Sequence, residues 1–178
     1  VFVPPYKPLA PRYLRMEAAE RATFDGEIVT ELDELEVRAA AEALKGHGVE
    51  ALAIGFLHSY ANPTNERRAA EIAREVLGDE VYITTSSEIL PVWREFERFS
   101  TTLVSAYTGP VVERYLRTLA RRLTEEGFTG NLLMMLSDGL VEKVEYCIPR
   151  VVYLIGSGPA AAPSGAVQIG RAVGTSDI

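Results

Sequence analysis

EALAIGFLHSYANPTNERRAAEIAREVLGDEVYITT, Glu50–Thr85, is the stretch on which the fold turns. Glu50 to Leu57 is apolar on both faces, the pattern of a central parallel strand. After a short loop, Asn62-Pro63 caps and opens a helix that reaches Leu77. Val81 to Thr84 then reads as a short strand, followed by the polar patch Thr85, Ser86, Ser87 and Glu88. Strand, helix, strand at this spacing predicts an α/β fold: a largely parallel sheet with flanking helices.

Upstream, Asp33 and Glu36 form a capping box for a helix through Lys45, with Leu35, Ala39, Ala40, Ala43 and Leu44 as its core face. Gly46 and Gly48 end it. Before it, AERATF and EIVTEL flank Asp25-Gly26, which favours a two-residue turn and predicts an N-terminal β-hairpin. Residues 1–20 carry Pro4, Pro5, Pro8 and Pro11 and read as extended. Downstream, helical periodicity runs from Pro91 to Tyr107 and breaks at Gly109-Pro110. A second amphipathic helix carries Val112, Tyr115, Leu116, Leu119 and Leu123 on one side. Trp93, Phe96, Phe99, Tyr107 and Tyr115 fall at helical spacing and read as core. Leu132 to Leu136 and Val151 to Ile155 read as strands, the first ending in the turn Ser137-Asp138-Gly139.

The loop Gly156-Ser157-Gly158-Pro159-Ala160 joins the second of these strands to an Ala-rich helix. Unpaired N–H groups and the positive end of the helix dipole make such a junction a seat for an anion such as phosphate. Pro159 suits the first turn and Ser157 can cap it. Small residues at a strand-to-helix turn also serve plain packing, so both readings stand. His58 follows Leu57 at the strand end where parallel sheets place ligands. It offers either proton transfer or a brace for the loop before Asn62. Glu88, Arg94, Glu95, Glu97 and Arg98 cluster at a helix start. Arg98 offers bidentate carboxylate binding or belongs to a solvated face, with Ser100, Thr101 and Thr102 beside it. Asp138 can hold Mg²⁺ through water or serve as an ordinary turn residue.

The 178 residues are 47% apolar and 24% charged, a globular balance, and the net charge of −7 argues against a nucleic-acid groove. One cysteine, Cys147, excludes an internal disulfide, fits a reducing cytoplasm, and reads as inert. With two histidines beside it, a structural zinc site is not expected. No apolar run approaches the ~20 residues of a membrane span. Both ends read as cut, so the chain reads as a fragment.

Several phrases together resemble the hydantoinase A/oxoprolinase family. FLHSYANPTNERRAAEIA (Phe56–Ala73) is similar to its FLHSY-x-NP-x-HE-x-R signature, and SSEILPVWREFERFSTTLVSAYTGPVVERYL (Ser86–Leu116) to SSEVLPE-x-REYER-x-STTV-x-NAY. LLMMLSDGLV resembles MQSNGGV, GSGPAAAPSGA resembles LSGPAAGV-x-GA, and AERATFDGEIVTELD resembles ERVDADGEVLTPLD. The matches are collinear over nearly the whole chain. The resemblance implies part of an actin/hexokinase-like (ribonuclease H-like) ATPase fold. On this division, residues 1–32 are an extended segment and hairpin and 33–130 an α/β lobe. Residues 131–178 begin the truncated core region.

The implied activity is ATP- and Mg²⁺-dependent opening of cyclic amides such as hydantoin, N-methylhydantoin or 5-oxoproline, in the cytoplasm, with a second subunit of hydantoinase B type. Acetone or acetophenone carboxylases are the alternative, and a non-catalytic assembly module whose helices Pro91–Glu126 dock a partner is another. The implied nucleotide or substrate contacts are Ser157, Gly158, Pro159, Ala160, Ser137, Asp138, Gly139 and Arg98. The chain departs from the pattern in lacking both D-x-GGT phosphate motifs, in Asp138-Gly139-Leu140 for Asn-Gly-Gly, and in Asn65 for His. A fragment without those motifs is expected to lack ATPase activity by itself.

Overall fold

A computed structural model describes residues 8–175, in two units divided between Pro110 and Val111. The first unit carries a short antiparallel pair, β1 (Arg21–Ala22) and β2 (Ile28–Thr30), with an irregularity at Arg21/Ala22. Their connection is not the two-residue turn expected. The Thr23 N–H donates to the Glu27 carbonyl and the Gly26 N–H to the Thr23 carbonyl, so the loop is three residues long. Gly26, at φ +88°, supplies the left-handed residue that closes it. Pro4 and Pro5 lie outside the described residues.

Helix α1 (Glu34–Gly46) starts where Asp33 accepts from the Leu35 and Glu36 N–H groups, both at 3.0 Å. Glu36 does not complete the capping box; it accepts from the Ala19 N–H at 2.7 Å and ties the incoming segment to the helix. The buried face is Val37, Ala41 and Leu44, while Leu35, Ala39 and Ala43 face solvent. The expected face was thus misphased at Leu35, Ala39 and Ala43, while Ala40 is half-buried and Leu44 buried. A helix this rich in alanine lets one valine decide which stripe packs.

Strand β3 (Ala51–Ile54) pairs in parallel with β4 (Tyr82–Thr85), with Ala51 opposite Tyr82 and Ile54 opposite Thr85. Between them runs α2 (Thr64–Leu77), whose start is held by Asn62: its Oδ1 accepts from the Thr64 N–H at 3.1 Å. Val37, Ala41, Ile54, Ala69, Ile72 and Val76 are buried together between α1, α2 and β3. A single turn, α3 (Ser86–Ile89), follows β4 directly.

Helix α4 (Glu95–Glu125) passes uninterrupted through Gly109-Pro110, where a break was expected. Pro110 costs one ladder hydrogen bond. Gly109 is explained by packing, because a Cβ there would strike the Tyr82 ring. Trp93, Phe96, Tyr107 and Tyr115, expected in the core, are 60–80% exposed; only Phe99 is half-buried.

In the second unit, β5 (Leu133–Met135) and β6 (Val141–Lys143) form an antiparallel hairpin. A short helix α5 (Val144–Cys147), a 3-10 segment (Ile148–Leu154) and helix α6 (Ser157–Val173) follow. The core gathers Leu116, Leu136, Val144 and Cys147. Val151 to Ile155 is therefore not a strand: Pro149 and the non-helical Arg150 (φ −131°) coil the segment, and an apolar run this short fits either state. The expected largely parallel sheet is replaced, among the described residues, by one parallel pair and two antiparallel pairs. The architecture remains α/β, with small sheets and helices. No helix among the described residues is long and apolar enough to cross a membrane.

Candidate functional site

The turn after β5 and the start of α6 come together in the second unit. Gly139, at φ +83°, closes the hairpin; its N–H donates to the Leu136 carbonyl at 3.1 Å, and the Leu136 N–H to the Leu140 carbonyl at 2.8 Å. Asp138 Oδ1 accepts from the Leu140 N–H at 2.9 Å. The Ser137 N–H donates to the Tyr153 carbonyl at 2.7 Å, pinning the turn to the 3-10 segment that leads into α6. A Cβ on Gly139 would lie 3.6 Å from the Ala160 carbonyl oxygen, so the turn faces the first turn of α6. Sequence reading nominated Ser137, Asp138 and Gly139 separately from Ser157, Gly158, Pro159 and Ala160; the fold makes them neighbours. Burial, with Tyr146 and Asp138 adding to it and Arg150 opposing, pushes the adjacent Tyr153 hydroxyl above its ordinary range.

At the head of α6, Gly156 adopts a left-handed conformation (φ +79°) and no side chain caps the helix, so Ser157 does not play the capping part expected of it. Ser157 is the first helical residue. The Ala160 N–H turns back to the Gly156 carbonyl at 3.2 Å, and Pro159 has no N–H. The N–H groups of Ser157 and Gly158 are left without a partner among the described residues. Gly158 and Pro159 are exposed, and the space a Gly158 side chain would occupy is empty. These features fit a phosphate, which needs converging N–H donors and close backbone approach. They do not by themselves hold a metal. No group of three His, Cys, Asp or Glu side chains comes together among the described residues, so Asp138 has no companion ligand there.

The first unit holds a different arrangement at the end of β3. His58 sits in the left-handed region (φ +58°), uncommon for a residue with a side chain. Its carbonyl accepts from the Ala61 and Asn62 N–H groups at 2.9 and 3.2 Å, and its Nδ1 lies 3.3 Å from the Tyr60 hydroxyl. His58 thus braces the loop before Asn62 while its half-buried ring remains available.

Arg98 is fully buried, which removes it from the solvated face on which it was placed. Its Nε donates to Ser86 Oγ (3.1 Å), Nη1 to the Val92 carbonyl (2.5 Å) and Nη2 to the Phe56 carbonyl (3.0 Å). The guanidinium also lies 5.4 Å from the Tyr60 ring centre and 5.0 Å from that of Phe99. All its nitrogens serve the protein interior. Arg94 and Glu97 form an exposed pair at 3.3 Å, and Thr101 and Thr102 return their hydroxyls to the Glu97 and Arg98 carbonyls.

Sequence reasoning missed Glu66, which is fully buried on α2. Its Oε1 accepts from the Phe56 N–H (2.8 Å) and Ser86 Oγ (2.5 Å), and its Oε2 from the Ser87 N–H (2.8 Å). Because Ser86 spends its proton on Glu66, Ser59 Oγ, 3.2 Å away, is the donor in that contact. One hydroxyl thus joins the Glu66 carboxylate to the Arg98 guanidinium. The signal was present in the phase of α2: Glu66 shares a stripe with buried Ala69 and Ala73.

Two family models match the chain: the hydantoinase/oxoprolinase N-terminal region over residues 2–77 and hydantoinase/oxoprolinase over residues 98–178. An uncharacterized protein of Methanocaldococcus jannaschii is 41% identical over 155 residues, 87% of this chain and 23% of that protein. Caprolactamase subunit alpha of Pseudomonas jessenii is 34% identical over 175 residues, 98% of this chain and 25% of its own length. The crystal structure of the ATP-dependent caprolactamase from that organism superposes with a TM-score of 0.82 at 33% identity, covering 97% of this chain and 25% of that one. A nucleotide-free acetone carboxylase, from work on ATP-dependent acetone carboxylation, gives 0.83 at 30% identity, over 95% and 24%. The chain spans about a quarter of the length of these relatives.

Proposed function

Since the chain belongs to the hydantoinase/oxoprolinase family, we propose that it forms part of an ATP-dependent enzyme that opens cyclic amides of the lactam, hydantoin or 5-oxoproline kind. The end-to-end likeness to the caprolactamase subunit carries this reading. In it, the chain contributes one wall of a nucleotide and substrate cleft within an actin/hexokinase-like fold, in the cytoplasm. A second subunit completes the enzyme, in keeping with the caprolactamase relative being named subunit alpha.

The first turn of α6 is the phosphate contact. Ser157 and Gly158 donate their N–H groups, and the absence of a side chain at Gly158 allows the anion to approach bare backbone. Ala160 and Pro159 fix that turn against Gly139. Asp138 is the acidic group of this wall, able to take Mg²⁺ through water with its remaining ligands supplied from outside these residues. Bound ATP supplies a phosphoryl group, which converts an unreactive amide oxygen into a leaving group. Positioned donors stabilise the charge that builds on the phosphate. On the first unit, His58 is the candidate for hydrogen bonding to substrate, presented by a loop that Glu66 and Arg98 hold rigid.

The likeness to acetone carboxylase favours a second reading, ATP-dependent carboxylation of a ketone. ADP release by the full-length protein with its partner subunit separates the two. Stimulation by caprolactam, 5-oxoproline or hydantoin is the expected result. Stimulation only by bicarbonate plus a ketone replaces the first reading with the second, and no stimulation by either set overturns both.

A further inference from the structure

We propose that one internal water molecule binds between β4 and α4, held by the hydroxyls of Thr84 and Ser105. Both side chains are buried, at 2% and 0% exposure, and neither hydroxyl has a hydrogen-bond partner among the described residues. A buried hydroxyl left unpaired costs free energy, so such groups in a stable fold are met by protein or by ordered water.

Register brings the two hydroxyls together. A Cβ on Gly109 would meet the Tyr82 ring, and Arg98 Nε donates to Ser86 Oγ at 3.1 Å, so α4 runs back along β4 from Ser86 toward Tyr82. Tyr82 and Thr84 lie on one face of the strand. Thr85 lies on the other, where its partner Ile54 joins the core built with α1 and α2. From Tyr82 to Thr84 is ~6.6 Å along the strand. From Gly109 to Ser105 is ~6 Å along the helix. Both steps lead the same way from the Tyr82–Gly109 contact and end in the same layer.

The layer is built of small residues. Ala53 is the β3 partner of Thr84, and Thr102 and Ala106 flank Ser105 on the buried face of α4. A buried water needs such room and two or more polar partners. Thr102 supplies a third: its hydroxyl proton goes to the Arg98 carbonyl at 2.7 Å, so its oxygen is left to accept. The water accepts from one of the two hydroxyls and donates to the other and to Thr102. The STTV-x-NAY pattern that Ser100–Tyr107 resembles has Asn at the position of Ser105. An Asn amide reaches farther than a Ser hydroxyl and carries both a donor and an acceptor. In this chain the water takes the place of that amide.

A high-resolution crystal structure of the full-length polypeptide tests this, paired with the variants Thr84→Val and Ser105→Asn. Density for one water within hydrogen-bonding distance of both hydroxyls is the expected result, lost in each variant. Thr84→Val conserves shape, so its urea midpoint reads the hydroxyl alone. The midpoint is expected to fall if the hydroxyl is paired through water, and Ser105→Asn is expected to keep the parent midpoint by replacing the water with its own amide. A Thr84→Val midpoint that is unchanged or raised overturns the proposal. So does a direct Thr84–Ser105 hydrogen bond, or Ser105 Oγ donating to the Thr101 carbonyl with no density between α4 and Thr84.

Discussion

Replacing Glu66 by Gln changes one oxygen to an amide, yet the structure makes it one of the most damaging substitutions available to the first unit. The carboxylate accepts three hydrogen bonds, from Phe56, Ser86 and Ser87, and has no exposure to water. The least harmful rotamer aims the new NH₂ at the Ser87 N–H, leaving two donors facing each other. An unsatisfied buried group costs about 1–3 kcal/mol. Loss of the negative charge also strands the buried Arg98 guanidinium, and removing one partner of a buried charged pair costs about 3–5 kcal/mol. These penalties overlap, so about 3–5 kcal/mol is expected in total. Arg98→Met is expected to cost a similar amount, because it empties three acceptors. The groups meet through Ser86, so the double variant should fall short of the summed losses by about 1–3 kcal/mol. Urea unfolding followed by far-UV circular dichroism measures this. With a slope near 2 kcal/mol/M, each single variant shifts the midpoint by roughly 2 M. A Glu66→Gln midpoint within 0.5 M of the parent on this roughly 2 kcal/mol/M scale, or strict additivity of the two changes, refutes the network.

Gly109→Ala should destabilise although it improves helix propensity by about 1 kcal/mol, because its Cβ meets the Tyr82 ring and overpacking costs about 1–3 kcal/mol; a raised melting temperature would contradict the close approach. Cys147 is buried, and desolvation, then Glu142 and Glu145, pushes its thiol above the ordinary range. Its folded-state value lies above its unfolded one, so its contribution to stability is complete below about pH 8.5 and is lost as pH rises through the folded value. Cys147→Ala should flatten the decline in urea midpoint between pH 8 and 10, and an unchanged slope would place that titration elsewhere. Gly158→Val should weaken binding of a non-hydrolysable ATP analogue to the full-length protein at least tenfold by calorimetry, with an unchanged melting temperature. Undiminished affinity would assign the loop to packing alone.

The strand–helix–strand from Glu50 to Thr85 was legible because Glu50–Leu57 is apolar on two faces, Val81–Ile83 follows at the spacing of a second strand, and α2 has a clear stripe. Polar pairing was harder to read. Glu66 is a charged residue in a buried phase, and only the coordinates show the Phe56 and Ser87 N–H groups that make its burial tolerable. Val151–Ile155 failed for a different reason: five apolar residues suit a strand or a coiled segment, and here they continue a 3-10 segment that carries Pro149 at its start. The exposed rings of Trp93, Phe96 and Tyr107 were misassigned because spacing reveals a shared face, not what covers it. For a chain spanning a quarter of its relatives, the covering can lie in the remainder.

Glycines bear most directly on the candidate site, and they are not alike. Gly55 and Gly109 have packing explanations, since a Cβ at either would collide with the Phe99 or Tyr82 ring. Gly158 has none, yet in a helix it costs about 1 kcal/mol relative to alanine. Open space alone does not mark a ligand, because Gly165 is equally open in the same helix. What separates them is position: Gly158 lies in the first turn, where its N–H has no carbonyl four residues back, whereas Gly165 lies within the ladder. If phosphate is the reason for Gly158, Gly165→Ala should leave nucleotide affinity intact while Gly158→Val lowers it. Equal effects from both would trace the small residues of α6 to a helix surface packed against the rest of the enzyme.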